Sequence, residues 1–244
     1  MSNRAFGALT RAWPWPAREH GRLPAILVAL TVVTGMVDAV SYLALGHVFV
    51  ANMTGNVVFL GFALAGAPGL SAPASLAALG AFLLGALAGG RIAVRSGEHR
   101  GRHLWTATTV AVAALLLAVI LAAIIGQPVS DAARYPLIVP LAVAMGIQNA
   151  TARRLAVPDL TTTVLTLTLT GIAADSRLAG GPGGHPARRL IAVTAMFAGA
   201  LLGALLVIHV DLVLPLSIAA GLIAASALAA RRLSPRRFAQ TQPN

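Results

Sequence analysis

The sequence predicts an all-α integral membrane protein, a polytopic bundle of transmembrane helices. Of its 244 residues, 57% are hydrophobic and only 10% are charged, whereas soluble domains carry about 25% charged residues. The apolar residues form long continuous runs, which suit helices that cross a bilayer and not the short alternating strands of a β-barrel. Because no hydrophilic stretch is long enough for a soluble domain, we expect a single membrane domain.

Eight apolar runs follow one another along the chain. They lie at 23–45, 48–66, 74–94, 104–125, 136–152, 160–175, 189–209 and 212–230. The connections are short and rich in Gly, Pro and Arg, which is typical of loops. We predict a transmembrane domain over 23–230, between basic cytoplasmic tails at 1–22 and 231–244. The first run is too long for a signal peptide, so we expect an uncleaved first span.

The arginines indicate which runs cross the membrane, because cytoplasmic loops carry an excess of positive charge. All 18 basic residues are Arg. If all eight runs cross, 12 Arg lie inside and 6 outside. If 48–66 and 160–175 enter and leave on one side, 17 lie inside and only Arg134 lies outside. We therefore predict six spans plus two broken or re-entrant segments in a plasma (cytoplasmic or inner) membrane, with both termini cytoplasmic.

The net charge of +11 has a consequence for partners. The arginines cluster in short segments between apolar runs, a pattern typical of contact with anionic membrane lipid. They form no folded basic module of the kind that binds nucleic acid. We therefore expect membrane lipid as a partner and no nucleic acid.

Two parts of the sequence resemble each other. Residues 35–39 read Gly-Met-Val-Asp-Ala and residues 146–150 read Gly-Ile-Gln-Asn-Ala; later, 54–57 aligns loosely with 166–169. Each unit then contains a span, a broken segment and two more spans. Because three crossings is an odd number, the second copy must be inverted. This predicts an inverted 3+3 repeat with halves at about 23–125 and 134–230, a plan found in many transporters.

Residues 35–43 and 48–56, with 146–150 and 160–166, resemble the YoaK family of bacterial multi-pass membrane proteins, also called domain of unknown function 1275. The resemblance covers roughly 25–230, and Asn-Met-Thr-Gly-Asn at 52–56 is its most specific part. Where the family tends to have Thr-Gly-Thr, this chain reads Thr-Leu-Thr at 166–168, so a break is less firmly indicated there than at Gly55. The resemblance implies about six spans and supplies no activity.

Asp38 is the sharpest single candidate, because it lies about two-thirds of the way across the first span. A carboxylate at such depth costs roughly 2.5–3.5 kcal/mol on insertion scales and marks a functional site by default. Two interpretations stay open. Asp38 is either a group that couples protons or cations or binds substrate, or a structural group that caps a broken helix or bonds the region of Thr54 and Asn56. Its counterpart in the repeat, Asn149, cannot ionise.

The broken segments supply the other candidates. Glycine permits a backbone break, and Asn and Thr side chains suit the cap of a helix that restarts near Val57. The Thr-rich second segment and the neighbouring amides are weaker candidates, since Thr at helical spacing also serves helix packing. The predicted substrate or ion pathway comprises Asp38, Asn52, Thr54, Gly55, Asn56, Gln148, Asn149, Thr163 and Thr166.

These features favour a small-solute transporter or channel, with its polar site near the midplane where paired broken helices meet. The alternative is a non-catalytic assembly or regulatory component of the membrane. A membrane-embedded enzyme is less favoured, because the sequence has no Cys, no His-Glu-x-x-His and no nucleophile–base pair. We expect no catalytic residue, metal or cofactor. Small-residue spacings such as Gly199 and Gly203 favour close helix packing, within the bundle or in a homo-oligomer.

Overall fold

A computed structural model describes residues 23–97, 100–155, 165–181 and 185–231. These residues form eight α-helices and one short 3-10 turn, Arg177–Ala179, and contain no strand, which confirms the all-α prediction. The helices are α1 Leu23–Ala44, α2 Met53–Leu64, α3 Ala72–Ser96, α4 Arg100–Ile125, α5 Tyr135–Leu155, α6 Leu165–Ala174, α7 Pro186–His209 and α8 Val213–Arg231. The predicted N-terminal tail and nearly all of the C-terminal tail lie outside the described residues.

Five of these helices are long and apolar enough to cross a membrane, namely α1, α3, α4, α7 and α8. Each coincides with a predicted span. Helix α5 occupies the one predicted span that remains. It has 21 residues, and at about 1.5 Å per residue it reaches across a hydrocarbon core of about 30 Å. Its mean hydropathy is lower, because its second half carries Gln148, Asn149, Arg153 and Arg154.

Helices α2 and α6 fall in the two runs that the sequence predicts to be broken. They have 12 and 10 residues, or about 18 and 15 Å of helix at 1.5 Å per residue. Neither is long enough to cross a hydrocarbon core of about 30 Å alone. Residues 45–52, ahead of α2, are not helical. Residues 156–164, ahead of α6, lie outside the described part of the chain.

Helices α1 and α5 are the inner elements of the bundle. Helix α1 packs on α7 and α8, and α5 packs on α3 and α4; α4 and α8 also pack on each other, and α1 meets α5. The short helix α2 lies on α3, and α6 lies on α7. The hydrophobic core runs between α1, α4, α5 and α8, with much of its volume in Leu, Ile and Met side chains.

Glycines let the inner helices touch their neighbours backbone to backbone. A Cβ added at Gly35 of α1 would lie within 3.0 Å of the Met196 carbonyl oxygen of α7, and one at Gly146 of α5 would lie equally close to the Phe82 carbonyl oxygen of α3. Neither carbonyl can withdraw without moving its helix. Gly80 of α3, by contrast, has no atom within 4 Å of an added Cβ, so only part of the glycine-rich run serves packing.

Candidate functional site

The chain is interrupted between α1 and α2. After α1 ends at Ala44, Gly46 and His47 both take positive φ values, 87° and 57°, and turn the chain back toward α1. Helix α2 then begins at Met53 and not near Val57 as the sequence predicted. The break therefore lies ahead of Gly55, which sits within the first turn of α2.

Asp38 holds this interrupted segment in place. Its side chain is buried on α1. One carboxylate oxygen accepts hydrogen bonds from the backbone N–H groups of Val50, at 2.9 Å, and Ala51, at 2.8 Å. The other accepts from the Asn52 backbone N–H, at 3.1 Å, and from the Asn52 side-chain amide, at 2.5 Å. All four partners are donors, so the carboxyl group acts purely as an acceptor, as an ionised carboxylate does.

Asn56 completes the same arrangement from α2. Its side chain is fully buried. Its Oδ1 accepts from the Phe49 backbone N–H at 2.8 Å, and its Nδ2 donates to the Phe49 carbonyl oxygen at 2.6 Å. Asp38 and Asn56 thus satisfy the polar backbone of residues 49–52. Non-helical backbone at membrane depth needs such partners, because lipid supplies none.

The neighbouring predicted residues have different roles. Asn52 stands at the N-cap position of α2 but makes no side-chain cap bond, since its amide points to Asp38. Gly55 packs against the Phe49 ring, because an added Cβ would lie within 3.0 Å of that ring and would have to displace it. Thr54 is exposed. Of the predicted residues in the first half, the structure therefore brings together Asp38, Asn52 and Asn56.

Gln148 binds α1 at a separate place. It is buried on α5, and its Nε2 donates to the Leu30 carbonyl oxygen at 2.9 Å and to the Thr34 hydroxyl at 2.8 Å. Thr34 lies one helical turn before Asp38, on the same face of α1. The Gln148 Oε1 is buried, and no described residue gives it a hydrogen bond.

The remaining predicted residues are Asn149, Thr163 and Thr166. The Asn149 side chain is half-buried, and its Nδ2 donates to the Met145 carbonyl oxygen of its own helix at 2.9 Å. Thr166 is exposed on α6, where Thr168 is the buried residue. Thr163 lies outside the described residues.

A narrow void lies where α1, α4, α5 and α8 meet. It has no room for a water-sized sphere in this conformation. Its lining is mostly apolar, with three polar side chains from α4 and α5. The lining residues are Leu30, Ala107, Thr108, Ala111, Gln148, Thr151 and Ile223.

Sequence reasoning missed three of the buried polar residues near this void. Thr108 and Thr151 line it, and His103 lies one turn before the void-lining Ala107 on α4. His103 is buried, and neither ring nitrogen has a hydrogen-bond partner among the described residues. These residues lie within apolar runs or at their ends. The helical periodicity of the sequence could have identified Thr108, because this residue lies on the buried face of α4.

A second cavity, of about 300 Å³, lies between the end of α6 and the start of α7. Arg189 and Asp175 form an ion pair at its wall, with 2.7 Å between Nη1 and Oδ2. Its lining residues are Gly171, Ile172, Asp175, Ser176, Arg177, Pro186 and Arg189. Among the described residues, no three His, Cys, Asp or Glu side chains come together as metal ligands.

Comparison with known proteins identifies the family. The profile described as "Protein of unknown function (DUF1275)" matches residues 26–229. The chain is 34% identical over 151 residues to the UPF0700 transmembrane protein YoaK of Bacillus subtilis (strain 168), across 62% of this chain and 65% of that protein. The chain thus spans less than two-thirds of the curated relative it matches. No solved structure matches. With its five long apolar helices, the chain is an integral membrane protein and belongs to the DUF1275 family.

Proposed function

We propose that the protein is a small-solute transporter built from two inverted halves, α1–α4 and α5–α8. The observation that carries this proposal is the interrupted segment 45–52, whose backbone is held inside a membrane domain by Asp38 and Asn56. Irregular backbone at membrane depth is tolerated where it is buried in protein or lines a cavity. In secondary transporters such segments lie beside the substrate path at the interface between repeats.

The helix packing supports the two-half architecture. Each contact of a helix in one half has a counterpart in the other half. Helix α1 packs on α7 as α5 packs on α3, and α1 packs on α8 as α5 packs on α4. Likewise, α2 lies on α3 as α6 lies on α7. The close glycines follow the same rule. Gly199 of α7 faces the Val32 carbonyl oxygen of α1, and Gly85 of α3 faces the Val143 carbonyl oxygen of α5.

The two short helices also correspond. Asn56 is the buried residue of α2, and Thr168 is the buried residue of the described helix α6. Both stand at the third position of the segments that align in sequence, 54–57 and 166–169. In a transporter of this plan, α2 would enter from the outer side and α6 from the cytoplasmic side. That orientation keeps both termini and 17 of the 18 arginines on the cytoplasmic side of the plasma membrane.

A second candidate function is a non-catalytic assembly or regulatory component. One observation favours it: the carboxylate of Asp38 is fully engaged by donors of its own chain, and the central void has no room for a water molecule. A permanently closed interior would suit a structural role. The two functions differ in whether the interior opens to each side of the membrane.

Single-cysteine labelling tests the proposal, because the chain contains no Cys and needs no background substitutions. Ala111→Cys places a thiol in the void lining on α4. Ala132→Cys and Leu178→Cys, both at exposed positions, serve as controls for the outer and cytoplasmic sides. Each variant is treated with a membrane-impermeant maleimide in right-side-out and inside-out vesicles.

A transporter predicts that Ala111→Cys reacts from both sides, whereas Ala132→Cys reacts only in right-side-out and Leu178→Cys only in inside-out vesicles. If Ala111→Cys reacts from neither side while both controls behave as stated, the interior stays closed and the structural role is correct. If both controls react from the same side, the inverted arrangement is wrong.

A further inference from the structure

The central void between the two halves has a specific chemical character, set by three side chains. Helices α1 and α4 contribute to it from the first half, and α5 and α8 from the second. Its polar residues are Thr108, Gln148 and Thr151. They are all buried: Gln148 is 3% exposed, Thr108 4% and Thr151 1%.

The orientation of the Gln148 amide follows from its partners. The Leu30 carbonyl oxygen can only accept a hydrogen bond, so the amide atom that faces it, at 2.9 Å, must be the nitrogen. The Thr34 hydroxyl already donates to the Leu30 carbonyl at 3.0 Å and therefore accepts from the same nitrogen. Both amide hydrogens are used. Among the described residues, the Oε1 is left as a buried acceptor with no donor, which is unfavourable in an apolar interior.

The two threonines of the void also present only acceptors. The Thr108 hydroxyl donates to the Leu104 carbonyl oxygen at 2.6 Å, and the Thr151 hydroxyl donates to the Ile147 carbonyl oxygen at 2.8 Å. A hydroxyl has one hydrogen and two lone pairs, so each retains a lone pair. Each of the three polar residues of the lining therefore keeps an oxygen that can accept a further hydrogen bond, while its N–H or O–H hydrogens are already used.

None of the described residues that line this void is charged. A cation held there would lack a counter-charge, and an isolated ion in such an apolar site is strongly disfavoured. The carboxylate of Asp38, one turn beyond Thr34, is already occupied by four donors. The lining thus matches a molecule that donates hydrogen bonds and carries no charge.

From this geometry we infer that the void becomes, when the helices separate, a substrate site for a small uncharged solute with N–H or O–H donors, such as a small amide or polyol. This inference rests on the proposed transport function and names the substrate class. The solute would satisfy the Gln148 Oε1 and the free lone pairs of Thr108 and Thr151. Its entry requires the four helices to separate, because the void is closed in this conformation.

Uptake into proteoliposomes tests the inference with radiolabelled urea and glycerol, which both donate hydrogen bonds and carry no charge. The test variant combines Thr108→Val with Thr151→Val, which keeps the side-chain shapes and removes both hydroxyl acceptors. The matched control is Thr109→Val. Thr109 is exposed on the same helix, and its hydroxyl likewise bonds a carbonyl of its own helix, that of Trp105 at 2.8 Å. Gln148→Leu serves as a second, independent test of the lining.

We expect the wild type and Thr109→Val to take up at least one solute faster than protein-free liposomes. The double variant should be slower by about 30-fold, which corresponds to two lost hydrogen bonds of about 1 kcal/mol each. Uptake no faster than in protein-free liposomes for both solutes overturns the inference. So does equal uptake by the double variant, Gln148→Leu and the control.

The transport function and the substrate class can be refuted independently of each other. If Ala111→Cys is labelled from both sides but neither urea nor glycerol enters faster than in protein-free liposomes, the transport function stands and the substrate class is wrong. If Ala111→Cys is labelled from neither side, the transport function fails, and any uptake of urea or glycerol that persists in the double variant does not pass through this void.

Discussion

Replacing Asp38 should reveal how much the interrupted segment depends on one side chain. Asp38→Ala removes the acceptor of the backbone N–H groups of Val50, Ala51 and Asn52. Leaving each buried donor unsatisfied costs about 1–3 kcal/mol, or roughly 3–9 kcal/mol for three. Removing a carboxylate from the membrane interior returns about 2.5–3.5 kcal/mol. The net loss of unfolding free energy is therefore near 3 kcal/mol, taking the middle of both ranges.

Asp38→Asn should be milder. The new side chain keeps one oxygen for Val50 and Ala51, but its amide nitrogen faces the two donors of Asn52. About two of the four hydrogen bonds are lost, at roughly 1–3 kcal/mol each, against a similar gain from removing the charge. We expect a net loss near 1 kcal/mol. Adding Asn52→Asp to Asp38→Asn should recover part of it, since an acceptor then faces the new amide.

Thermal unfolding of the purified protein in detergent measures these effects. For a chain of this size, 1 kcal/mol corresponds to about 2–4 °C, so Asp38→Ala should lower the midpoint by about 6–12 °C and Asp38→Asn by about 3 °C. The control is Ser41→Ala. The Ser41 hydroxyl lies on the same face of α1 and bonds only the backbone carbonyl of Asp38, at 3.2 Å. If Asp38→Ala and Ser41→Ala have the same thermal unfolding midpoint, the bonds of Asp38 do not stabilise the interrupted segment.

Three further predictions use the same thermal assay. Gly146→Ala should destabilise the protein by about 1–3 kcal/mol, because the added Cβ overlaps the Phe82 carbonyl of α3. Gly80→Ala should instead stabilise it by up to about 1 kcal/mol. Equal unfolding midpoints for the two variants would mean that α3 and α5 separate freely. His103→Leu should raise stability by about 1–3 kcal/mol, since it removes two buried unpartnered nitrogens, and a lowered midpoint would show that the imidazole has a partner. Asn56→Leu should cost at least about 2 kcal/mol by stranding the N–H and C=O of residue 49, and an unchanged midpoint would contradict its role.

The helices were largely predictable because a bilayer requires long apolar runs. All eight runs contain a described helix, and the two runs singled out by the arginine count contain the two short ones. The location of the break was less accessible. Gly55 suggested a break in the backbone, but it lies within the first turn of α2, where an added Cβ would lie within 3.0 Å of the Phe49 ring. A contact of that kind depends on the path of the chain, and the composition of the segment does not contain it.

The partners of Asp38 illustrate a second limit. The sequence indicated that a carboxylate at this depth must have hydrogen-bond donors. In the structure its oxygens accept mainly from backbone N–H groups. Because backbone groups are present at every position, the sequence could not indicate which residues supply these donors. Likewise, Thr166 is exposed on α6 while Thr108 is buried in the central void. The two residues are identical in hydropathy. Only the packing of the bundle decides which one faces the interior.

The bonds of Asp38 also bear on the order in which the chain assembles during synthesis. The contact between the glycine of α1 and Met196 cannot form until α7 has been synthesised, and the bond from Gln148 to α1 cannot form until α5 has been synthesised. The carboxylate of Asp38, by contrast, finds its partners only 12–14 residues later in the chain. Closing so short a loop costs little entropy. The next segment of the chain can therefore supply hydrogen bonds to the carboxylate of α1 before the rest of the bundle has been synthesised.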